Sequence, residues 1–281
     1  MNIGIGLPIG DPGQLTTWAR RADAGPFSSL GLLDRVVYDN PEPLAALAVL
    51  AGATSRIRVQ TEVLLAPTRD TVLLAKQAAT IDRMTGGRLV LGLGVGTRGD
   101  DYAAVGADMR TRGRRLDEQL AVMRRLWSGA DHGDGVGPIG PLPSRPGGPQ
   151  VLLGGFRPAA LERVARWADG YLAAAPLPMV ADLFDTVRKA WREHDRAGSP
   201  RLVAQVSVAL GPTRVVEQAR DALTDYYAFT GMADRMAAGM LTTPDTIRAA
   251  VTSLADLGAD EVMLYCYGTD PDQVARLADV V

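Results

Sequence analysis

Several residue types that catalytic and structural sites often need are scarce in this sequence. Its 281 residues include a single cysteine, Cys266, and two histidines, His132 and His194. One cysteine excludes an intramolecular disulfide and fits a reducing compartment, so we expect a cytoplasmic protein. Two histidines far apart leave little material for a histidine metal site or a Ser-His-Asp triad. We therefore predict no metal site.

Charge and long apolar runs are also lacking. The formal net charge is -2, so there is no basic excess to neutralise the phosphates of a nucleic acid. No run approaches the roughly 20 apolar residues that cross a bilayer, and the first residues lack the basic region and long apolar core of a signal peptide. We expect neither nucleic acid nor a membrane as a partner.

Two apolar segments that run into glycine-rich turns are the strongest positive feature. Residues 87–97 read GRLVLGLGVGT, and residues 150–157 read QVLLGGFR. Continuous apolar runs of this length are typical of parallel strands buried on both faces. Glycine at the strand exit lets backbone amides approach an anion or a planar ring closely. The pair therefore indicates a phosphate-bearing cofactor, although either segment alone is more often just a tight turn.

Strand and helix patterns alternate from end to end, which predicts an α/β fold. A regular βα alternation means right-handed crossovers and a parallel sheet. Eight such units in 281 residues predict a single-domain (β/α)8 TIM barrel over residues 1–281, with an open doubly wound sheet as the alternative. Residues 129–149 are rich in glycine and proline and predict a long loop, either a lid over the strand ends or a simple connection. The predicted strands are 2–7, 29–33, 57–65, 88–93, 151–153, 170–174, 202–210 and 261–267.

The carboxyl ends of these strands are where a barrel of this kind forms its site. The residues there are mostly apolar or glycine, with few charges. Such a set suits a flat, largely apolar ring with a phosphate tail better than a pair of hydrolytic carboxylates.

The sequence resembles the bacterial luciferase-like flavin- and deazaflavin-dependent oxidoreductases. The resemblance covers almost the whole chain and is strongest in residues 67–82 and 86–96. It extends to 100–106, to LGG at 153–155 with ADG at 168–170, and to TTP at 242–244 with LGADE at 257–261. Members of this family are TIM barrels that bind FMN or coenzyme F420 at the mouth of the barrel, so the resemblance implies the same here.

The resemblance also implies roles at matching positions. Backbone amides at the second glycine-rich exit would wrap the cofactor phosphate, and Arg98 at the first exit would add a charge-assisted contact to the tail. A non-proline cis peptide bond after the third strand often forms a bulge behind the ring, and the matching bond here joins Glu62 to Val63. The expected cofactor-binding residues are Glu62, Val63, Gly96, Thr97, Arg98, Gly154, Gly155 and Phe156.

One departure from the family pattern lies after the second strand. Many relatives have Asp-His there, with a histidine that can take part in proton transfer, whereas this chain has Asp34-Arg35. Arginine cannot act as a general base at neutral pH, but it can bind an anionic substrate or a reduced-flavin anion. We name Asp34 and Arg35 as the candidate catalytic residues. The alternative is an ordinary ion pair between them.

The resemblance implies a monooxygenase-type oxidoreductase that uses reduced FMN, which we favour, on a small organic substrate. The first alternative is an F420-dependent reductase or dehydrogenase that transfers hydride without oxygen. Two further alternatives are a non-catalytic flavin-binding barrel and a barrel enzyme that carries out another chemistry. Glu62 is the one carboxylate well placed for the latter. A separate flavin or F420 reductase is an expected partner, and dimers are common in the family, so a homodimer is expected.

Overall fold

The computed structural model describes residues 1–8, 10–133 and 135–281, and eight parallel strands in it close into a barrel. Each strand pairs with the next along the chain; β8 pairs with β1, and β3 joins β4 through Val59 and Leu89. This confirms the predicted (β/α)8 TIM barrel. The strands are β1 (Asn2–Gly6), β2 (Ser29–Leu32), β3 (Arg58–Thr61), β4 (Leu89–Gly94), β5 (Gln150–Gly154), β6 (Gly170–Ala173), β7 (Arg201–Val208) and β8 (Glu261–Cys266).

Helices follow the strands and cover the outside of the barrel. Several begin at caps that the sequence provides: the side chain of Asp70 accepts a hydrogen bond from Leu73 N–H (2.8 Å), and Thr243 forms a capping box with Thr246. The helices are α1 (Leu15–Ala24), α2 (Pro43–Gly52), α3 (Thr71–Met84), α4 (Gly99–Ala104), α5 (Arg112–Trp127), α6 (Pro158–Trp167), α7 (Leu177–Glu193), α8 (Thr213–Tyr227), α9 (Ala233–Ala238), α10 (Pro244–Asp256) and α11 (Gln273–Ala278). Within the described ranges, no helix is both long and apolar enough to cross a membrane.

Side chains alternate between the helix layer and the barrel interior, as the strand period of two requires. The outward set joins the main core with the helices, while a smaller interior cluster contains Val90, Leu152, Leu172, Val203 and Met263. Large interior side chains lie against glycines of neighbouring strands. A Cβ atom at Gly6 would lie 2.0 Å from the ring of Tyr265, so that position has room only for glycine.

The described residues of the glycine- and proline-rich segment 129–149 include two short antiparallel strands, Asp131–Gly133 and Val136–Pro138. The segment joins the end of α5 to the start of β5, and Ser144 N–H donates to Asp82 Oδ2 (2.6 Å) near the end of α3. Lys76 Nζ donates to Gly140 O (2.7 Å). The described residues of this segment therefore connect α5 to β5 along the outside of α3, and the choice between a lid and a simple connection stays a prediction.

The mouth of the barrel is covered by the segment from α8 to residue 241. Leu241 N–H donates to Ser207 O (2.9 Å), and Ala209 N–H donates to Leu241 O (3.0 Å), which fixes the end of this segment to the end of β7. The buried side of α8 packs on residues at the ends of β2 and β8, among them Leu33 and Tyr267. The cover therefore comes from the β7 side of the barrel, which the sequence analysis did not predict.

Candidate functional site

A bulge after β3 forms one wall of the mouth. The predicted strand 57–65 is interrupted, and the peptide bond between Glu62 and Val63 is cis, as the sequence analysis expected. The Val63 side chain extends toward β4 and β5. A Cβ atom at Gly94 would lie 2.5 Å from Val63 Cγ2, and one at Gly154 would lie 3.4 Å from Val63 Cγ1. Glycines on two neighbouring strands thus make room for Val63 at this wall.

The exit of β5 has the features of an anion site. Gly155 has φ = +146°, a region that favours glycine, and a Cβ atom there would lie 2.7 Å from Ala160 Cβ in α6. The N-cap residue of α6, Arg157, makes no side-chain hydrogen bond to the first turn. Pro158 has no N–H, and Ala160 N–H donates to Arg157 O (2.8 Å), so the first turn offers few free donors. The helix dipole still favours an anion at this N-terminus, so the exit fits a cofactor phosphate. Phe156 is 52% exposed beside it.

The exit of β4 presents a mixed-charge pair. Gly96 has φ = +64°, and Thr97 is exposed. The Arg98 guanidinium pairs with the carboxylate of Asp100, which lowers the pKa of Asp100 to about 2. The other neighbour of Arg98 is the ring of Phe229, whose centroid lies 4.7 Å from Arg98 Cζ. Arg98 is therefore at the mouth, as predicted, but with its charge already partnered by an acid.

Glu62 lies on the other side of the bulge from Val63. A Cβ atom at Gly31 in β2 would lie 2.5 Å from Glu62 Cδ, so the carboxyl rests directly on that glycine. Glu62 is buried; its Oε1 accepts a hydrogen bond from Gln60 Nε2 (2.5 Å), and its Oε2 has no partner among the described residues. Burial raises the pKa of Glu62 to about 8. A buried carboxyl in this state carries its proton at neutral pH.

Asp34 and Arg35 do not pair with each other, so the ion-pair alternative is wrong. Asp34 Oδ2 lies 3.0 Å from Arg69 Nη2 and also accepts a hydrogen bond from Leu65 N–H (2.8 Å). Desolvation raises the pKa of Asp34, and the charge of Arg69 opposes that shift. These contacts tie the loop after β2 to the bulge after β3. Asp34 thereby has the geometry of a residue that holds the mouth in shape.

Arg35 is buried against Asp101 of α4. Arg35 Nε lies 3.0 Å from Asp101 Oδ2, and the side chains are only 6% and 2% exposed. Asp101 Oδ1 also accepts hydrogen bonds from Val36 N–H (2.9 Å) and Val37 N–H (2.8 Å). The Arg35 charge is thus balanced by Asp101, while its buried Nη1 has no hydrogen-bond partner among the described residues.

Aromatic rings surround the Arg35 guanidinium. The ring centroids of Tyr38, Tyr226 and Phe229 lie 5.5, 5.5 and 5.3 Å from Arg35 Cζ, within cation–π range. The rings extend into a cluster that contains five of the seven tyrosines of the chain. The cluster consists of Tyr38, Tyr226, Tyr227, Tyr265 and Tyr267.

The structure therefore divides the predicted site residues between two halves of the mouth. The exits of β4 and β5, with Val63, form a glycine-rich half, and Arg35 with the tyrosine cluster forms an aromatic half. The sequence analysis missed the role of Asp101 and the convergence of the tyrosines. The available signal was the two adjacent acids Asp100 and Asp101 directly after a strand exit, which place carboxylates at the mouth.

Sequence comparisons add independent findings. The family model described as luciferase-like monooxygenase matches residues 4–277. An uncharacterised protein of Mycobacterium tuberculosis is 31% identical over 206 residues, which cover 70% of this chain and 71% of that protein. A phthiodiolone/phenolphthiodiolone dimycocerosates ketoreductase of a Mycobacterium species is 31% identical over 187 residues, which cover 62% of this chain and 49% of that protein.

Solved structures with the same fold come from enzymes of more than one kind. A monooxygenase from Streptomyces bottropensis has a TM-score of 0.78 at 22% identity and covers 100% of this chain and 97% of its own. An F420-dependent secondary alcohol dehydrogenase, in complex with an F420-acetone adduct, has a TM-score of 0.84 at 17% identity. The match covers 100% of this chain and 98% of the dehydrogenase chain. At these identities the likeness shows the shared fold alone.

Proposed function

Because this chain belongs to the luciferase-like monooxygenase family, we propose that it is an oxidoreductase that binds a phosphate-bearing ring cofactor across the mouth and acts on a small organic substrate. FMN is the favoured cofactor, and oxygenation of the substrate is the favoured reaction. The observation that carries the proposal is the glycine-lined half of the mouth, where Val63, Gly94 and Gly154 form an apolar wall beside the uncapped start of α6.

The residues present fit such a cofactor. The ring would lie against Val63, and the phosphate would lie at Gly154, Gly155 and the first turn of α6, where the helix dipole favours an anion. When bound, the cofactor supplies two-electron chemistry that no amino acid side chain offers. The protein contributes binding, orientation and the exclusion of water.

The aromatic half of the mouth is the proposed substrate side. Arg35 Nη1 is buried there without a hydrogen-bond partner among the described residues, and the pairing with Asp101 leaves no net charge on the pair. A neutral acceptor such as a carbonyl or hydroxyl oxygen satisfies this donor without a new uncompensated charge. We therefore revise the expectation of an anionic substrate and propose that Arg35 orients a substrate oxygen beneath the tyrosine rings.

F420-dependent hydride transfer is the second candidate, and one observation favours it. The helix that neighbours α6 begins with Arg112, Arg114 and Arg115, and Arg157 lies exposed at the start of α6. This arginine-rich rim suits a cofactor tail with several negative groups, as F420 has, more than the single phosphate of FMN. For either cofactor, the proposal includes a separate reductase that supplies the reduced form, a homodimer and a cytoplasmic location.

A titration of the purified protein with FMN and with F420 tests the proposal. We expect the protein to quench the fluorescence of one of these cofactors in a saturable way. The absorbance spectrum of the complex then identifies the bound cofactor. Gly154→Ala is the variant to compare with the wild-type protein in the same titration. Its added Cβ atom would lie 3.4 Å from Val63 Cγ1, an ordinary contact distance, on the wall where the ring is proposed to bind. If neither compound binds to the wild-type protein, the proposed cofactor function is wrong.

A further inference from the structure

The two residues of the bulge after β3 face different halves of the mouth. Val63 extends toward Gly94 and Gly154 on β4 and β5, whereas the Glu62 carboxyl rests on Gly31 of β2. Gly31 is the register partner of Gly6 on β1, and the ring of Tyr265 rests on Gly6. Glu62 and Tyr265 thus lie on paired glycines of neighbouring strands. This places the carboxyl beneath the aromatic half of the mouth.

The environment of Glu62 differs from that of the other buried carboxylates. Asp34, Asp101 and Glu261 each pair with an arginine, and Asp82 accepts a hydrogen bond from a backbone N–H group. In the described part of the chain, Glu62 has no cation within 4 Å and no backbone donor. A carboxylate with a purely structural role needs such partners, because an unpaired buried charge is costly.

The polar atoms around Glu62 show the same lack of partners. Gln60 donates to Glu62 Oε1 through its amide nitrogen, but Gln60 Oε1, Gln205 Oε1 and Glu62 Oε2 all lack a hydrogen-bond partner among the described residues. Gln60 and Gln205 belong to strands that line the barrel, and Glu62 lies in the bulge directly after β3. Three unsatisfied acceptor atoms in one buried interior indicate that a proton or a ligand belongs there.

We propose that Glu62 is the acid of this site: its carboxyl carries a proton at Oε2 and delivers it to the oxygen of a carbonyl substrate held in the aromatic half of the mouth. The inference rests on the second candidate of the proposed function, hydride transfer, and adds a substrate class, ketones or aldehydes. A hydride supplied by reduced F420 adds to the carbonyl carbon, while the C=O π electron pair moves to oxygen. That oxygen takes the Glu62 proton and becomes a hydroxyl, and the remaining carboxylate takes a proton from water.

The charged and titratable groups that face Glu62 permit this role. Glu261 raises the pKa of Glu62 and Arg201 lowers it, but desolvation is the largest effect. Tyr265 is fully buried, with a pKa raised well above its ordinary value, so it stays neutral and adds no charge. Its hydroxyl oxygen accepts a hydrogen bond from Leu33 N–H (2.9 Å), which fixes the ring beside the proposed substrate position.

Infrared difference spectroscopy on the cofactor-free protein tests whether the carboxyl is protonated. We expect a C=O band of a protonated carboxylic acid at pH 7 that disappears as the pH rises through about 8. The band should be absent in Glu62→Gln, shifted but present in Glu62→Asp, and unchanged in Glu118→Gln, which makes the same change on the exposed face of α5. If Glu62→Gln removes no such band, the inference is overturned.

A second measurement tests the delivery of the proton to a carbonyl oxygen. Acetophenone with a ¹³C-labelled carbonyl serves as the probe. Relative to the probe in buffer, its C=O band should move to lower frequency when it binds the wild-type protein, and this shift should be smaller in Glu62→Gln. Equal shifts in both proteins, or no binding of the probe, would overturn the assignment. Cofactor titration of both proteins separates the outcomes: a wild-type protein that binds FMN or F420 while these tests fail refutes only the role of Glu62.

Discussion

The buried pair of Arg35 and Asp101 offers the sharpest test of how the aromatic half of the mouth is built. Replacement of Asp101 by Ala leaves the Arg35 guanidinium buried without a counter-charge, and two backbone N–H groups lose their acceptor. Removal of one partner from a buried ion pair costs about 3–5 kcal/mol. We therefore expect Asp101→Ala to lower the free energy of unfolding by at least about 3 kcal/mol.

The neighbouring residue supplies a matched control. Asp100 also pairs with an arginine, but its side chain is 39% exposed. Exposed pairs contribute about 0–1 kcal/mol, so the same substitution at Asp100 should have little effect. Thermal unfolding distinguishes the two, because 1 kcal/mol shifts the Tm of a domain of this size by about 2–4 °C. Asp101→Ala should lower Tm by roughly 6 °C or more, and Asp100→Ala by about 4 °C or less.

A double variant separates loss of the charge pair from loss of shape. Arg35→Met with Asp101→Asn removes both charges and keeps an amide oxygen that can accept from Val36 N–H and Val37 N–H, so most of the lost stability should return. If Asp101→Ala and Asp100→Ala destabilise the protein equally, or if the double variant is less stable than Asp101→Ala, the pair does not hold the mouth as described.

Three further predictions concern other parts of the mouth. Gly154→Ala should weaken binding of the ring cofactor at least about tenfold, or 1.4 kcal/mol, with little change in Tm, and unchanged affinity by fluorescence titration would remove this residue from the site. Phe229→Ala should lower the stability of the cofactor-free protein by about 1–2 kcal/mol through lost stacking on two guanidinium groups, whereas Phe156→Ala should leave it unchanged; equal melting curves for the two variants would contradict this. The pKa of Glu62 is raised from 4.5 to about 8 in the folded state. The folded protein then binds a proton that the unfolded chain has released, so stability should fall by a few kcal/mol as the pH rises from about 4.5 to 8. Denaturant unfolding of Glu62→Gln should lack this decline, and a parallel decline in both proteins would count against the shifted pKa.

The barrel was predictable from the sequence because local patterns specify its elements. The apolar runs near residues 89–94 and 261–266 read as buried parallel strands, and both lie in the barrel. In the structure, α3 and α10 also begin at local caps, the Asp70 side chain and the Thr243 capping box. Each of these signals acts within a few residues of its element, so no knowledge of distant contacts was needed.

The site was less predictable because its contacts join distant segments. Arg35 finds its counter-charge 66 positions away at Asp101, and nothing near Arg35 in sequence selects that acid over the adjacent Asp34. The tyrosine cluster likewise forms only when the ends of β2 and β8 meet α8. Composition predicts a loop at residues 129–149, but it does not predict the contacts with α3 that the described part of this segment makes.

A crystal structure of the protein with FMN or F420 bound would show where the cofactor lies. We expect the ring against Val63, the cofactor phosphate at Gly154, Gly155 and the first turn of α6, and the free face of the ring toward Arg35 and the tyrosine cluster. A cofactor bound elsewhere, or a mouth that remains empty at saturating cofactor concentrations, would contradict this expectation.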